Sequence, residues 1–418
     1  MKEVMEERMD LEEPTRRDID RSQQLGLIVG AVGLAICALG AVIDTEQFFR
    51  SYLFGFVLWV GLAIGAFGLY MLHHLVGGAW GFLIRRLLSS AMRTFPLLLV
   101  LFIPLVFGLQ TLYPWARPEA AANHILHLKA AYLNVPFFLG RAALYFAIWI
   151  GWGFRVFALV KRQEETGELA LIRKMQNISA VGILLLVLTV TFASIDWLMS
   201  LEPEWFSTMF GVIQIIGFAL SALSLATIML VKLSESEPMA GLVRPQIFQD
   251  LGNLLFGFTL FWAYCSFSQF LIIWSGNIAE ETPWYIHRTQ GGWEFVAYFL
   301  LLFAFAVPFL LLLSRRNKRD LGFLKKMAMW ILFVRLVELF WFTAPTFYPD
   351  GIHLHWLDIA APLGIGGIWY WYYIHQLKQR PLLFLTDPRM REAIHRIDEK
   401  EPHHTAMPGV GQYEQKGA

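Results

Sequence analysis

The sequence has few of the residues that most redox and metal sites need. Its two cysteines, Cys37 and Cys265, both lie in apolar stretches, and neither belongs to a CxxC or CxxCH sequence. A CxxC metal or iron–sulfur site and a CxxCH haem attachment are therefore excluded for this chain. It also has no P-loop and no apolar h-region at its start, so we expect no cleaved signal peptide, and the first apolar run should remain as an anchor.

Charged residues are also scarce. They make up 16% of the 418 residues, whereas 56% are hydrophobic and the mean hydropathy is +0.51, which is typical of a polytopic membrane protein. About 20 apolar residues are needed to cross a bilayer as a helix. Because backbone groups in lipid must be satisfied within the segment, we predict ten transmembrane helices. They cover 25–43, 52–75, 92–112, 136–160, 177–199, 207–231, 251–275, 292–314, 326–345 and 356–377.

Lysine and arginine alternate from loop to loop. Of the 34 lysine and arginine residues, 27 lie in the two tails and in every second loop, and four lie in the intervening loops. The positive-inside rule then places both termini in the cytoplasm. We predict a cytoplasmic N-terminal tail (1–24), a ten-helix domain (25–377) and a cytoplasmic C-terminal tail (378–418).

The predicted outer loops are rich in aromatic residues and proline. The sequences are Tyr113-Pro114-Trp115, Pro203-Glu204-Trp205, Pro283-Trp284-Tyr285 and Phe347-Tyr348-Pro349. One interpretation is an interfacial aromatic belt with helix stops. The other is a rigid docking surface for extracytoplasmic subunits.

The three remaining basic residues, Arg141, Arg155 and Arg335, lie inside predicted membrane helices, as do the acids Asp196 and Glu338. An ionisable group at bilayer depth costs at least ~2.5–3.5 kcal/mol on insertion scales. Each of these five residues is therefore a candidate functional residue unless a neighbour neutralises it.

Helix 4 carries two of the arginines on one face. Arg141, Tyr145, Trp152 and Arg155 are spaced by 4, 7 and 3 residues, which keeps them on one stripe. Arg155 is six residues from Lys161, so its side chain could simply extend to the inner headgroups. Arg141 follows an apolar segment and has no such alternative.

Helix 9 carries the deepest pair. Arg335 lies nine residues beyond Lys326, roughly 14 Å along the helix axis, with Glu338 at i+3 on the same face. The pair could be an internal staple or part of a transport or relay path. Asp196 ends helix 5 and could be a solvated helix end or face an outer water cavity.

An acid at the outer end and another near the middle, with polar groups between them, would make a proton route. The residues of such a route must exchange protons near neutral pH, which partial burial of a carboxylate permits. We predict no catalytic, cofactor-binding or metal-binding residue. The proton-pathway candidates are Asp196, Glu338, Arg335, Arg141, Arg155, His73, Tyr264 and Gln269.

Several long patterns resemble one known family. They are SIDWLMSLEPEWFSTMFG at 194–211, LHHLVGGAWG at 72–81, WSGN at 274–277 with PWY at 283–285, and Arg335 with Phe340-Trp341. The set resembles the NrfD-like (polysulfide-reductase-like) membrane subunits of alternative complex III, a bacterial quinol:cytochrome c oxidoreductase. The likeness covers nearly all of residues 25–390 and is greatest for the second, shorter subunit of this kind, the F subunit.

The resemblance implies an all-α protein with two four-helix bundles, helices 2–5 and 6–9, flanked by helices 1 and 10. It implies the bacterial inner membrane and a complex with a first NrfD-like subunit that holds the quinol site, with iron–sulfur and multihaem and monohaem cytochrome c subunits, and with small membrane subunits. Iron–sulfur clusters and c-type haems would then belong to partner subunits, and quinone to the complex. This chain would conduct protons or scaffold the assembly.

Three alternatives remain at this point. A free-standing ten-helix secondary transporter would also have charges at the midplane, although paired Gly/Pro interruptions of central helices are missing. A second alternative is a quinone-binding subunit with its own quinol site. The third is a haem-b quinol oxidase subunit, which would need His73 or His74 to face His375 at the inner surface.

Overall fold

The computed structural model describes residues 13–235, 239 and 243–382. Within these ranges the chain forms helices and no strand. Ten long helical segments, named α1 to α10 in chain order, are Glu13–Ile43, Thr45–Val76, Ala79–Phe107, Val135–Thr166, Ala170–Trp197, Phe210–Leu233, Pro245–Gly276, Trp293–Leu313, Leu321–Phe347 and Leu357–Lys378.

Two of these segments are irregular. α3 consists of Ala79–Met92 and Phe95–Phe107, and α8 contains a π-helical stretch, Leu301–Ala306. Pro308 follows that stretch and has no N–H to donate to the preceding turn, which explains why the regular hydrogen-bond pattern is interrupted there. Short helices occupy the connections: Leu109–Leu112, Pro114–Ala116, Pro118–Ala122, His124–Lys129, Met199–Leu201, Thr282–Arg288 and Arg315–Arg319.

The ten predicted apolar runs all coincide with helices. In the described part of the chain, nine helices are long and apolar enough to cross a membrane, and α10 is not among the nine. Two predicted boundaries were wrong, because polar residues extend the helices: residues 13–24 begin α1, and most of the predicted loop 76–93 forms the first half of α3. The rest of the predicted tails, 1–12 and 383–418, lies outside the described residues.

Side chains and glycines define the helix ends. Asp44, Asn134 and Asp320 accept hydrogen bonds from the backbone N–H three residues later, which caps α2, α4 and α9. Gly77 and Gly78 separate α2 from α3 with φ values of 73° and 101°, which residues with a Cβ rarely adopt. These capping side chains and glycines mark where one helix ends and the next begins.

Two helix rings share a central contact. α2 to α5 pack around one another, α6 to α9 form a second ring, and α2 packs against α6 between them. At that contact Gly61 and Gly65 of α2 lie directly on Phe218 of α6. α2 and α6 are consequently the most buried of the candidate spans, and the charged pairs of the interior are arranged around them.

α1 and α10 pack together on the outside of α2. Their contact is lined by small residues, and an ideal Cβ added to Gly33 would lie 2.5 Å from Cα of Gly364. At Gly30 it would lie 2.5 Å from the backbone N of Ile368. The two backbones approach so closely that only glycine fits, a packing mode common in membrane helix pairs.

We therefore expect Gly33→Ala to destabilise the protein by about 1–3 kcal/mol, since the added methyl group must displace backbone rather than a flexible side chain. The thermal unfolding midpoint in detergent, followed by tryptophan fluorescence, measures the effect. Gly140→Ala on α4 is the matched control, because nothing lies within 4 Å of its Cβ position. Equal midpoints for the two variants would contradict the close packing.

Candidate functional sites: the buried ion pairs

Arg141 and Asp196 form a two-pronged ion pair between α4 and α5. Arg141 donates from Nε to Oδ2 at 2.9 Å and from Nη2 to Oδ1 at 2.8 Å, and both side chains are buried. The planar guanidinium matches the carboxylate in this geometry, which gives the strongest form of charge-assisted hydrogen bond. The sequence identified both residues but not that they are partners, because 55 residues separate them.

The remaining polar atoms of this pair are also satisfied. Tyr145 donates to Oδ2 of Asp196 at 2.7 Å, and Nη1 of Arg141 donates to the carbonyl of Tyr132 at 3.0 Å. The guanidinium lies over the rings of Tyr132 and Phe137, 3.8 and 4.4 Å from their centroids. Every nitrogen of this guanidinium thus has an acceptor, and we name these five residues the Arg141 cluster.

Arg335 and Glu338 form the ion pair that their i+3 spacing on α9 predicts. Both side chains are buried, and Trp262 of α7 donates from Nε1 to Oε1 of Glu338 at 2.7 Å. Nε and Nη2 of Arg335 have no hydrogen-bond partner among the described residues. A buried charge that lacks hydrogen-bond partners is energetically costly. The Arg335–Glu338 pair therefore needs an explanation, whereas the fully bonded Arg141 cluster needs none.

Arg335 occupies space that a glycine provides. An ideal Cβ at Gly217 of α6 would collide with the guanidinium of Arg335. One turn earlier on the same helix, Gln214 is fully buried, and neither amide atom has a hydrogen-bond partner among the described residues. The pair therefore lies where α6, α7 and α9 meet.

A third charged group, missed by the sequence reasoning, lies at the predicted outer end. Glu202 accepts from Nη1 of Arg288 at 2.7 Å and from Oγ1 of Thr346 at 2.7 Å, and Nδ1 of His287 is 3.3 Å away. Arg288 is buried and also donates to the carbonyls of Trp284 and Phe342 at 2.9 and 2.8 Å. The group joins the α5–α6 hairpin to α9 and to the loop before α8.

Arg288 also determines the ionisation of Glu202. Burial favours the neutral carboxyl, but the charge of Arg288 and hydrogen bonds from the neighbours outweigh it and lower the pKa of Glu202 from 4.5 to about 2. Nearby, Trp205 and Trp284 stack with centroids 4.4 Å apart and an interplanar angle of 11°. Two of the predicted outer loops thus pack against each other through these rings, and we name the group around Trp205 and Trp284 the outer cap.

Two arginines assigned to a loop are buried as well. Arg85 and Arg86 lie in the first half of α3. Nη2 of Arg86 is 3.7 Å from Glu164 of α4, which is also 3.4 Å from Arg380, and Nε of Arg86 donates to the carbonyl of Pro381 at 2.9 Å. The expectation that only Arg141, Arg155 and Arg335 lie outside the loops and tails was wrong, because polar residues extend the helices and place Arg85 and Arg86 within α3.

The other candidate residues are scattered. Arg155 and Tyr264 are exposed, and the guanidinium of Arg155 lies beside Trp152, 5.6 Å from the ring centroid. Gln269 is buried near the outer cap, where it accepts from Ser207 at 2.7 Å and donates to Tyr285 at 3.2 Å. The structure does not bring these three together with the Arg335–Glu338 pair.

The histidines considered for haem ligation differ in exposure. His73 is buried at the end of α2, with Nε2 3.2 Å from the carbonyl of Gly78, and His74 is buried beside it. His375 is exposed and lies 3.1 Å from the side chain of Gln379. Among the described residues, no group of three or more His, Cys, Asp or Glu could hold a metal ion.

The fold and these buried pairs define a multi-pass, all-helical membrane protein. No protein-family model matches the sequence, and no curated protein matches it significantly. Its function is therefore inferred from the pattern of residues and from the geometry of the ion pairs.

We expect the Glu202 group to make the protein sensitive to acid. Because the folded-state pKa is lowered, its stabilisation is present above the unfolded value of 4.5 and is lost as the pH falls toward 2. Between about pH 6 and pH 3 this carboxyl should cost the wild-type protein on the order of 2 kcal/mol of unfolding free energy, and the Glu202→Gln variant should not show that part of the decrease. Denaturant titrations at several pH values measure this.

Glu204→Gln is the control for that experiment, since Glu204 lies in the same loop but is exposed. It should leave the pH dependence unchanged. A Glu202→Gln variant with the wild-type acid profile would show that Arg288 does not lower the pKa of this carboxyl.

Proposed function

We propose that this chain is an integral membrane subunit of a quinol:cytochrome c, or other acceptor, oxidoreductase of the alternative complex III type. The support is the set of NrfD-like patterns, which occur in order in a chain of ten long helical segments: at the end of α2, in the α5–α6 hairpin, after α7 and on α9. In this proposal α10 crosses the membrane as the tenth span, both termini are cytoplasmic, and the membrane is the bacterial inner membrane. The clusters and haems belong to partner subunits.

The task within that complex is proton conduction, centred on Glu338. The observation that carries this part of the proposal is the Arg335–Glu338 pair, buried in mid-helix with two guanidinium nitrogens lacking acceptors. A pair kept only for stability would be expected to have all its hydrogen bonds satisfied. A pair whose guanidinium has unused donors can instead rearrange, so that its carboxylate gains and loses a proton at a moderate cost.

The Arg141 cluster provides the contrast. Asp196 accepts three hydrogen bonds, from both prongs of Arg141 and from Tyr145. Protonation of this carboxylate would disrupt its bonds to the guanidinium. We therefore assign the cluster first to joining α4 and α5, while Asp196 remains a candidate for the outer end of the route.

The outer cap suits contact with extracytoplasmic partners. An open cavity of about 390 Å³ lies between the outer loops, and it is lined by aromatic and charged side chains such as Trp205, Trp284, Glu204 and Glu280. Since Glu202 and Arg288 hold these loops in one arrangement, the surface is preformed. Preformed surfaces lose little conformational entropy on binding, as assembly with iron–sulfur and haem subunits requires.

The central test compares Glu338→Gln with Asp196→Asn in the assembled complex. Glu338→Gln should reduce the number of protons translocated per electron, because the amide keeps the shape of the side chain but cannot carry a proton. Some loss of stability is expected as well, since this change also removes the counter-charge of Arg335. Asp196→Asn should instead reduce assembly or thermal stability, by about 3–5 kcal/mol, since it leaves Arg141 without its counter-charge. Proton-to-electron ratios in proteoliposomes and the unfolding midpoint of each complex separate the two effects. Unchanged proton translocation in an intact Glu338→Gln complex would leave only a structural role.

Purification tests the assignment to a complex. The tagged chain, extracted in mild detergent, should copurify with partners that show reduced-minus-oxidised c-type haem spectra. A chain that purifies alone and restores substrate flux in proteoliposomes would support the secondary-transporter alternative. Spectra of the isolated chain distinguish a third case: a haem signal abolished by His73→Ala or His74→Ala would indicate an intrinsic haem b.

A further inference from the structure

Gln214 is one of two fully buried glutamines whose amide atoms lack hydrogen-bond partners among the described residues, the other being Gln163 on α4. Gln214 is fully buried on α6, one turn inside the start of that helix, and both its amide oxygen and its amide nitrogen lack hydrogen-bond partners among the described residues. Leaving a buried amide unsatisfied costs about 1–3 kcal/mol. A glutamine at this position therefore needs a hydrogen-bond partner that it does not contact in this conformation of the protein.

The packing of α6 on α9 identifies the level at which Gln214 lies. The ring centroids of Phe210 on α6 and Phe342 on α9 are 5.4 Å apart. Seven residues later on α6, Gly217 lies against Arg335, which is seven residues earlier on α9. The two helices are therefore antiparallel with a fixed register. That register places Gln214 level with residue 338.

Gln214 also lies on the appropriate face of α6. Residues three apart on a helix are neighbours on its surface, about 5–6 Å between Cβ positions. Gly217 lies directly beneath the guanidinium of Arg335, and Gln214 is its i−3 neighbour on α6, level with residue 338. The unpartnered amide is therefore within about one helical turn of the unpartnered Nε and Nη2 of Arg335.

We propose that Gln214 is the second acceptor of Arg335, and that the guanidinium alternates between Glu338 and Gln214 as Glu338 changes its protonation state. With Glu338 ionised, Arg335 pairs with the carboxylate. When a proton from the aqueous side binds a carboxylate oxygen, the counter-charge is lost and the guanidinium, which stays protonated, donates to the amide oxygen of Gln214. Release of the proton restores the first state.

This inference rests on the proposed function, because it assumes that Glu338 exchanges protons. It adds a positioning residue, which acts on the carboxyl through Arg335. Without a second acceptor, protonation of Glu338 would leave a buried cation with no partner, which is strongly disfavoured. With a second acceptor for Arg335, the protonated and ionised states of Glu338 become close enough in free energy for both to be populated.

The test uses Gln214→Leu and Gln214→Asn in the whole complex. Gln214→Leu should reduce proton translocation per electron by about tenfold or more, the factor expected for losing a hydrogen bond to a charged group. It should also weaken, at one fixed pH, the infrared carbonyl band of protonated carboxyl that Glu338→Gln removes. Gln214→Asn keeps the amide and should retain part of both signals.

Thermal stability separates this role from a merely structural one. Leucine fits apolar surroundings and removes two unsatisfied polar atoms, so the unfolding midpoint of Gln214→Leu should be equal or higher while proton translocation falls. Thr227→Val is the control on the same helix, since Thr227 is buried and, within the described part of the chain, its hydroxyl bonds to the carbonyl of Leu223 alone. It should leave both proton translocation and the carbonyl band unchanged.

The outcomes distinguish the two proposals. If Glu338→Gln reduces proton translocation and Gln214→Leu leaves it and the carbonyl band unchanged, the alternating-acceptor inference is overturned and the proposed function stands. If neither variant reduces it, both fail. Equal losses in Gln214→Leu and Thr227→Val would also overturn the inference, because they would reflect general disturbance of α6.

Discussion

A guanidinium buried among apolar helices must find acceptors, and the rest of this structure is arranged around that requirement. Arg141 donates from all three nitrogens to Asp196 and the carbonyl of Tyr132. Arg288 bonds to Glu202 and to two backbone carbonyls. Both arginines thereby tie together segments that are distant in the chain. Arg335 differs, since it is ion-paired with its own helix neighbour and two of its nitrogens lack acceptors.

Close backbone packing creates the interior in which these charges are held. Glycines allow α1 to lie directly on α10 and α2 directly on α6, and Gly217 opens the space that Arg335 fills. In a bilayer such contacts depend on van der Waals packing and interhelical hydrogen bonds, because lipid tails are as apolar as the side chains they would replace. Small residues and buried charges therefore act together. The small residues allow helices to approach closely, and the charged pairs favour particular helices as neighbours.

The difference between the Arg141 cluster and the Arg335–Glu338 pair suggests a division of roles. A fully satisfied cluster holds its charges in one state, which suits an anchor between α4 and α5. A partly satisfied pair has neighbouring states of similar free energy, which suits proton exchange. The Glu202 group at the outer end stays ionised well below neutral pH, so it stabilises the cap and is unsuited to exchanging protons near neutrality. In the proposed complex, conduction and docking would thus depend on different charged groups.

Local patterns in the sequence were enough to predict the helical segments and the i+3 contact of Arg335 with Glu338. These features depend on hydropathy and on spacing within one helix, which can be read along the chain. The partners of Arg141 and of Glu202, the burial of Arg85 and Arg86 and the position of Gln214 could not be predicted in this way. Each depends on which helices are neighbours and in what register. Only the tertiary structure decides that, because it is determined by close packing between distant segments, with glycines that look alike in sequence whether or not another helix lies upon them.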